Sequence, residues 1–407
     1  MKNTNKNQNI SLEDFNNHKN NIKKLFSLHA IIGKKTHKEQ NIYLFIGRNN
    51  GEFTGNVKYL FLHFIKKHPE ISSFFFTTKK DVFKKLSESK LPVLFYPSKD
   101  AIQIASQAGT VVVDSISFRR QIYYLLINNS RQIQLWHGVG NKKIGFQLYG
   151  LPCLTGRDKT LIEDHSGYDV IVSTSQFYTD EVFRKSMDAK QFVSLGYPRT
   201  DVFFEPLTKE MMIGCDTSSY AKIKKAKKNG PVILFTPTFR DTNINPITQN
   251  ILNFNKLKIL LQKINAHLII KSHTRTFFTI KNFGENITIL NPSSDIYPFM
   301  KLSDILITDY SSIYTEFLLL DRPIIFFWSD FDSYMKTDRG FQFSFEDMCP
   351  GPKCYSELEL FQSIQNAIQG NDDWTSQREQ MKLRAFKHLQ GGSSERIANL
   401  LLHDQSE

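Results

Sequence analysis

The sequence predicts an α/β protein built from two doubly wound halves, and three observations predict it. Short apolar, β-rich runs alternate with helical patterns from Asn41 onward. The alternation lapses between Glu205 and Gly230 and restarts at Val232. Within the second half, Ser303 to Trp328 (SDILITDYSSIYTEFLLLDRPIIFFW) reads as strand, polar turn, helix, strand, which is a βαβ unit. Short apolar runs separated by helices argue for parallel sheets covered on both faces. A chain of 407 residues exceeds one ordinary domain.

The elements follow in order. Residues 1–20 are polar and are expected to lack fixed structure. Residues 22–35 place Ile22, Leu25, Phe26, His29 and Ile32 on one helical face, with Lys23, Lys24, Lys34 and Lys35 at its flanks. That pattern suits a helix packed on the domain or a basic amphipathic helix lying on a membrane. Strands are expected at 42–46, 73–77, 93–96, 110–113, 132–136, 169–173 and 192–195, with helices including 56–67 and 79–87 between them. Ala221 to Lys228 (AKIKKAKK) reads as a basic helix in the connection, with a solvated face. Strands resume at Val232, His267, Thr288, Asp304 and Pro323, and the tail from Glu357 is mostly helical. The expected division is an N-terminal segment 1–40, a first domain 41–205, a second 206–375 and a tail 376–407. Two such domains face to face would place a cleft between the carboxyl ends of both sheets.

Composition narrows the class. Hydrophobic residues make up 40% and charged residues 23%, which argues for packed cores and against global disorder. The formal charge of +12 points to an anionic partner: a phosphate-rich polymer, anionic lipid headgroups or nucleic acid. No nucleic-acid module signature is present, so nucleic acid is set aside. Cys153, Cys215, Cys349 and Cys354 form no CxxC pair and no ligand set with histidine, as reduced thiols of a cytosolic protein would. No apolar run nears the ~20 residues that cross a bilayer. No signal-peptide core opens the chain. A cytoplasmic protein is expected, peripheral on the inner face of the membrane if it binds one.

Chemistry-bearing residues cluster where apolar runs end. Ligands of open α/β sheets bind outside the carboxyl ends of strands, and helix N-termini there accept phosphate. His137 follows QIQLW beside the flexible Gly138, and its unperturbed pKa suits a general base. Lys142 and Lys143 come next and could attract an anionic substrate. Thr236 to Arg240 (TPTFR) follows VILF, and Arg240 could fork onto a phosphate. His273 follows HLIIK in the same topological position and could donate to a phosphate or protonate a leaving group. Asp309, Ser311 and Ser312 end the next strand, where they suit either a diphosphate cradle or simple helix capping. Glu316, one turn into that helix, could accept from ribose hydroxyls. In Gly196 to Asp201, Arg199 could pair with Asp201 in a hinge. No metal cage is evident, and the one DxD match, Asp330 to Asp332, falls in an expected loop.

With these motifs assembled, the chain resembles the CDP-glycerol glycerophosphotransferase family, which includes teichoic-acid primases and polymerases and related capsule polymerases. The resemblance rests on WHG at Trp136 to Gly138, GYPRTD at Gly196 to Asp201 and TPTFR at Thr236 to Arg240. It continues through the His273 segment, SDILITDYSS at Ser303 to Ser312, RPIIFF at Arg322 to Phe327, and the RGF and PGP blocks that follow. It implies a GT-B fold, two Rossmann-like domains around a central cleft. It also implies transfer of an alditol phosphate, glycerol phosphate or ribitol phosphate, from a CDP-alditol to an acceptor hydroxyl of a teichoic-acid-like or capsular polymer, with release of CMP. His137 would be the base, and His273, Arg240, Ser311 and Ser312 would hold the diphosphate, with Asp309 orienting the turn and Thr238 counted among the substrate-binding residues. No cofactor is implied beyond the CDP-alditol donor, and a divalent cation is not signalled. The chain departs from the family at WHGVGNKK, where WHGTPLK is common, and at KSHTR around His273. Two other readings share parts of the pattern: a GT-B glycosyltransferase using a nucleotide sugar, and a non-catalytic protein binding polyanion or membrane.

Overall fold

A computed structural model describes residues 12–148, 156–238, 252–271, 284–337 and 342–403. The first half is a seven-stranded parallel sheet in the order β3-β2-β1-β4-β5-β6-β7. Its strands are β1 (Glu39–Ile46), β2 (Ser72–Thr77), β3 (Val93–Phe95), β4 (Ala108–Val113), β5 (Arg131–Gln134), β6 (Tyr168–Ser173) and β7 (Ala189–Ser194). The second half is a six-stranded parallel sheet in the order β10-β9-β8-β11-β12-β13. It comprises β8 (Val232–Thr236), β9 (His267–Ile270), β10 (Ile287–Ile289), β11 (Ile305–Thr308), β12 (Ile324–Phe327) and β13 (Lys353–Cys354). Both are doubly wound sheets whose order reverses beside the first strand, at β1/β4 and β8/β11. Together they make the GT-B arrangement.

The central strands are buried on both faces, which is why they read as unbroken apolar runs: every residue of β4, β8, β11 and β12 is buried. The two-residue β13 escapes a sequence reading because Lys353-Cys354 is too short to show a period.

The two halves are tied by buried ion pairs. Lys58, fully buried on the helix Gly55–Lys67, meets Asp295 at 2.7 Å, and Tyr59 donates to the same carboxylate at 3.0 Å. Arg199 forms a second buried pair with Glu316, whose other oxygen accepts from the Tyr297 hydroxyl. Arg199 therefore does not pair with Asp201. Asp201 accepts the backbone amides of Ser393 and Ser394 at 2.8 Å each and so holds the start of the last helix, Ser393–His403. That helix returns to the first half: Ile397, Ala398 and Leu401 pack with Tyr43 and Phe45 of β1, and the Tyr43 hydroxyl donates to the Leu401 carbonyl.

The first helix spans Leu12–Lys35, so residues 12–20, expected to lack fixed structure, are helical, and residues 1–11 of that segment lie outside the described residues. Its expected apolar face is only half covered. His29 is buried and bonded to the Tyr96 hydroxyl at 3.0 Å, Ile32 is half-buried, and Gly33 packs directly on the Leu125 carbonyl. Ile22, Leu25 and Phe26, on the same stripe, stay exposed, as do Leu28 and Ile31. No helix among the described residues is long and apolar enough to cross a membrane.

Candidate active site

Both switch points open onto one cavity of about 950 Å³, lined by Arg48, His137 and Arg199 from the first half and by Ser311, Ser312 and Glu316 from the second. The imidazole and the paired hydroxyls thus face a shared crevice from opposite halves.

His137 is set by its neighbours. Trp136 adopts a left-handed φ of 54°, and Asn56 donates to the carbonyls of Leu135 and Trp136, fixing the turn after β5. The Trp136 ring stacks on the imidazole with centroids 4.5 Å apart. The His137 Nδ1–H donates to the Asp114 carbonyl at 2.9 Å, which leaves the Nε2 lone pair as the acceptor. Burial, with the guanidinium groups of Arg48 and Arg199, drives the His137 pKa down to about 3, although the hydrogen bond to Asp114 pulls the other way. In the ligand-free protein this histidine is a neutral base.

The loop after His137 packs into the second half. A side chain at Gly140 would meet the Ser312 Cβ at 2.7 Å, and one at Gly138, whose φ is +132°, would meet the Ser312 Oγ at 3.1 Å. Thr315 donates to the Val139 carbonyl, and the Tyr314 hydroxyl donates to Asn141. The loop is a wedge between the halves, and it sets two of the expected substrate contacts apart from the cavity lining. Lys142 lies over the Tyr334 ring at 5.2 Å, and neither Lys142 nor Lys143 lines the cavity.

Across the cavity, Asp309 ends β11 fully buried and points inward. Its carboxylate accepts the Thr238 amide at 3.0 and 2.9 Å, the Thr238 hydroxyl and the Tyr310 amide. Asp309 and Thr238 are thus bonded to each other and do not line the cavity; they brace the turn that presents Ser311 and Ser312. Ser312 precedes the helix Ile313–Phe317 yet makes no side-chain cap bond, so its hydroxyl is not spent on capping. Glu316 lines the cavity, and its two oxygens are held by Arg199 and Tyr297. Burial opposes the Arg199 charge, but Glu316 raises its pKa above the ordinary arginine value. Arg240 and His273 lie outside the described residues, as does Cys153. Among the described residues, no group of three or more His, Cys, Asp or Glu side chains is placed to hold a metal ion.

Two residues missed in the sequence stand beside His137. Asp114 follows β4 and is fully buried, and burial pushes its carboxyl up to about 6 against the pull of Arg48 and Arg199. Neither carboxylate oxygen has a well-formed hydrogen bond among the described residues, though the Val57 amide in the first turn of the helix Gly55–Lys67 faces it. Arg48 follows β1. Each is the first polar side chain after an apolar strand, IYLFIG and TVVV, which is the rule that singles out His137.

The sequence profile of a family described as CDP-glycerol:poly(glycerophosphate) glycerophosphotransferase matches residues 27–403. The teichoic acid ribitol-phosphate primase of Bacillus spizizenii is 30% identical over 279 residues, covering 66% of this chain and 68% of that protein. The teichoic acid poly(ribitol-phosphate) polymerase of the same organism is 27% identical over 381 residues, covering 91% of this chain but only 57% of its own length. Among solved structures, the wall teichoic acid polymerase TagF superposes with a TM-score of 0.75 at 22% identity, over 94% of each chain, a likeness of fold.

Proposed function

This chain belongs to the CDP-glycerol:poly(glycerophosphate) glycerophosphotransferase family, and from that premise we propose that it transfers an alditol phosphate from a CDP-alditol to a hydroxyl of a teichoic-acid-type polymer. The observation that carries the reading is the fixed tautomer of His137 in a cavity shared with Ser311 and Ser312. With Nδ1–H committed to the Asp114 carbonyl, Nε2 takes the proton of the acceptor hydroxyl. The acceptor oxygen then forms a bond to the alditol-bearing phosphorus, the bond from that phosphorus to the bridging oxygen breaks, and CMP leaves with the electron pair. Ser311 and Ser312 donate to the diphosphate from the opposite wall, where charge develops. Asp309 and Thr238 hold that turn in place and touch no substrate themselves. Arg240 and His273 complete the anion-binding wall on this reading.

The half-covered first helix suggests where the reaction occurs. Its overhanging apolar residues, with Leu28 and Phe26 exposed by 52% and 48%, are flanked by Lys23, Lys24, Lys34 and Lys35. That surface fits the interface of an anionic bilayer, so the protein works as a peripheral enzyme on a lipid-linked acceptor.

The test is to incubate the protein with CDP-glycerol and CDP-ribitol plus polymer acceptors and to identify the nucleotide released. CMP is expected. In a parallel incubation with nucleotide sugars, release of a nucleoside diphosphate, with no CMP from either CDP-alditol, would make it a glycosyltransferase instead. His137→Ala should lower kcat by roughly 10²–10⁴-fold with donor affinity retained, and an unchanged kcat would remove His137 from the base role.

A further inference from the structure

The lining contributed by the first half forms one arm of the cavity, and Arg48, Lys79 and Lys85 give it a cationic character. Arg48 lines this arm at the carboxyl end of β1. The turn that presents it is unusual: Asn49, Asn50 and Gly51 follow with φ of 49°, 65° and 101°, three successive left-handed residues. Such backbone persists where the surroundings enforce it, and it gathers at functional sites. The buried Arg48 Nε has no hydrogen-bond partner among the described residues, and neither has the buried Oγ1 of Thr54, which lines the same arm. Thr54 stands at the N-cap of the helix Gly55–Lys67 yet makes no side-chain cap bond. Lys79 and Lys85 also line the arm. The acidic residues that line it are Glu52, already held by Lys79 at 3.4 Å and Asn49 at 3.1 Å, and Asp81, exposed on the helix Lys80–Glu88, while the buried Asp114 does not line the cavity but feels the Arg48 charge.

We propose that Arg48, assisted by the Thr54 hydroxyl, binds the terminal phosphodiester of the acceptor polymer and so makes the enzyme prefer acceptors that already end in a phosphodiester. This rests on the transfer reading above. In that reading the donor diphosphate lies against the second half and the attacking hydroxyl lies at His137. The acceptor's own last phosphodiester is then one alditol unit behind that hydroxyl, on the side of the first half. Arg48 stands on that side and is close enough to His137 for its charge to act on the imidazole. A guanidinium fork matches a phosphodiester with two non-bridging oxygens.

The experiment compares wild type, Arg48→Gln and Arg48→Lys on two small acceptors, glycerophosphoglycerol and phosphate-free diglycerol, with whichever CDP-alditol wild type turns over. In Arg48→Gln the KM for glycerophosphoglycerol should rise at least about tenfold, equal to about 1.4 kcal/mol. Arg48→Lys should fall between, and the diglycerol KM and donor affinity should hold. Equal losses on both acceptors would mean a structural role. Weakened donor binding would move Arg48 to the donor side, and unchanged kinetics would remove it from the site. If wild type turns over no CDP-alditol, the transfer reading fails by itself. Calorimetric titration with glycerophosphoglycerol then still decides the Arg48 site, which predicts binding by wild type and loss of it in Arg48→Gln.

Discussion

The pH dependence of turnover follows from the environment of His137, and it differs from what an ordinary catalytic histidine would give. The groups that bear on the imidazole are Arg48 after β1, Arg199 before the second half, and Asp114, whose carbonyl takes the Nδ1–H. An unperturbed histidine of pKa 6.5 would be only about 9% neutral at pH 5.5. A loss of about tenfold in kcat/KM from pH 7.5 would follow. With its pKa held at about 3, His137 remains almost wholly the free base at pH 5.5. The limb of kcat/KM, which reports the free enzyme, should therefore lie below pH 5. The donor brings two negative charges into the cavity, so the limb of kcat, which reports the complex, should lie at higher pH. Asp114, with its carboxyl near 6, is the other group able to produce an inflection in this range. Asp114→Asn separates the two, because any feature near pH 6 that survives it belongs elsewhere. Initial rates from pH 4.5 to 8 and the His137 resonances with and without CDP-glycerol provide the measurement. A free-protein titration of His137 near 6.5, with kcat/KM falling tenfold per pH unit below it, would refute the reasoning. Stability carries the same signs. The depressed His137 pKa means the unfolded chain binds the extra proton between about pH 3 and 6.5, so its contribution is lost as pH falls through that window. Asp114, raised from 3.8 to about 6, acts with the opposite sign over its own window.

Three further outcomes are expected. Asp309→Ala strips the half-buried Thr238 amide of its acceptor, which should cost about 1 kcal/mol in urea unfolding and weaken CDP-alditol binding by displacing Ser311 and Ser312; unchanged donor affinity would separate the turn from the site. Glu316→Ala leaves Arg199 buried without its partner and should destabilise the protein by about 3–5 kcal/mol, whereas the double variant Arg199→Met with Glu316→Leu should recover much of that loss. Phe26→Asp with Leu28→Asp should abolish flotation with phosphatidylglycerol vesicles while leaving turnover of a water-soluble acceptor intact, and undiminished flotation would assign the exposed helix another role.

The fold was legible because the central strands of doubly wound sheets are buried on both faces, and β4, β8, β11 and β12 carry that as apolar runs. His137, Ser311 and Ser312 were legible for a related reason, since a polar residue directly after such a run stands at the edge where ligands bind. The same rule applied to every strand would have found Arg48 and Asp114. What the sequence could not convey was the use of each side chain once two distant segments met. Asp309 and Thr238, 71 positions apart, close on each other. Arg199 passes over Asp201, two residues away, for Glu316, 117 positions on. The reason lies in the burial that accompanies domain contact. At the seam between the sheets, a guanidinium and a carboxylate must each find a partner of opposite charge or go unpaired in a poorly solvated place, so pairing follows the geometry of the interface and not proximity along the chain. Lys142 and Lys143 are set apart from the cavity lining for the same cause: Gly138 and Gly140 bring the loop close against Ser312. The cavity wall and the domain seam are therefore one structure. Arg199 joins them, because its charge both pairs with Glu316 and depresses the pKa of His137. A variant that loosens the seam should alter the base as well as the stability.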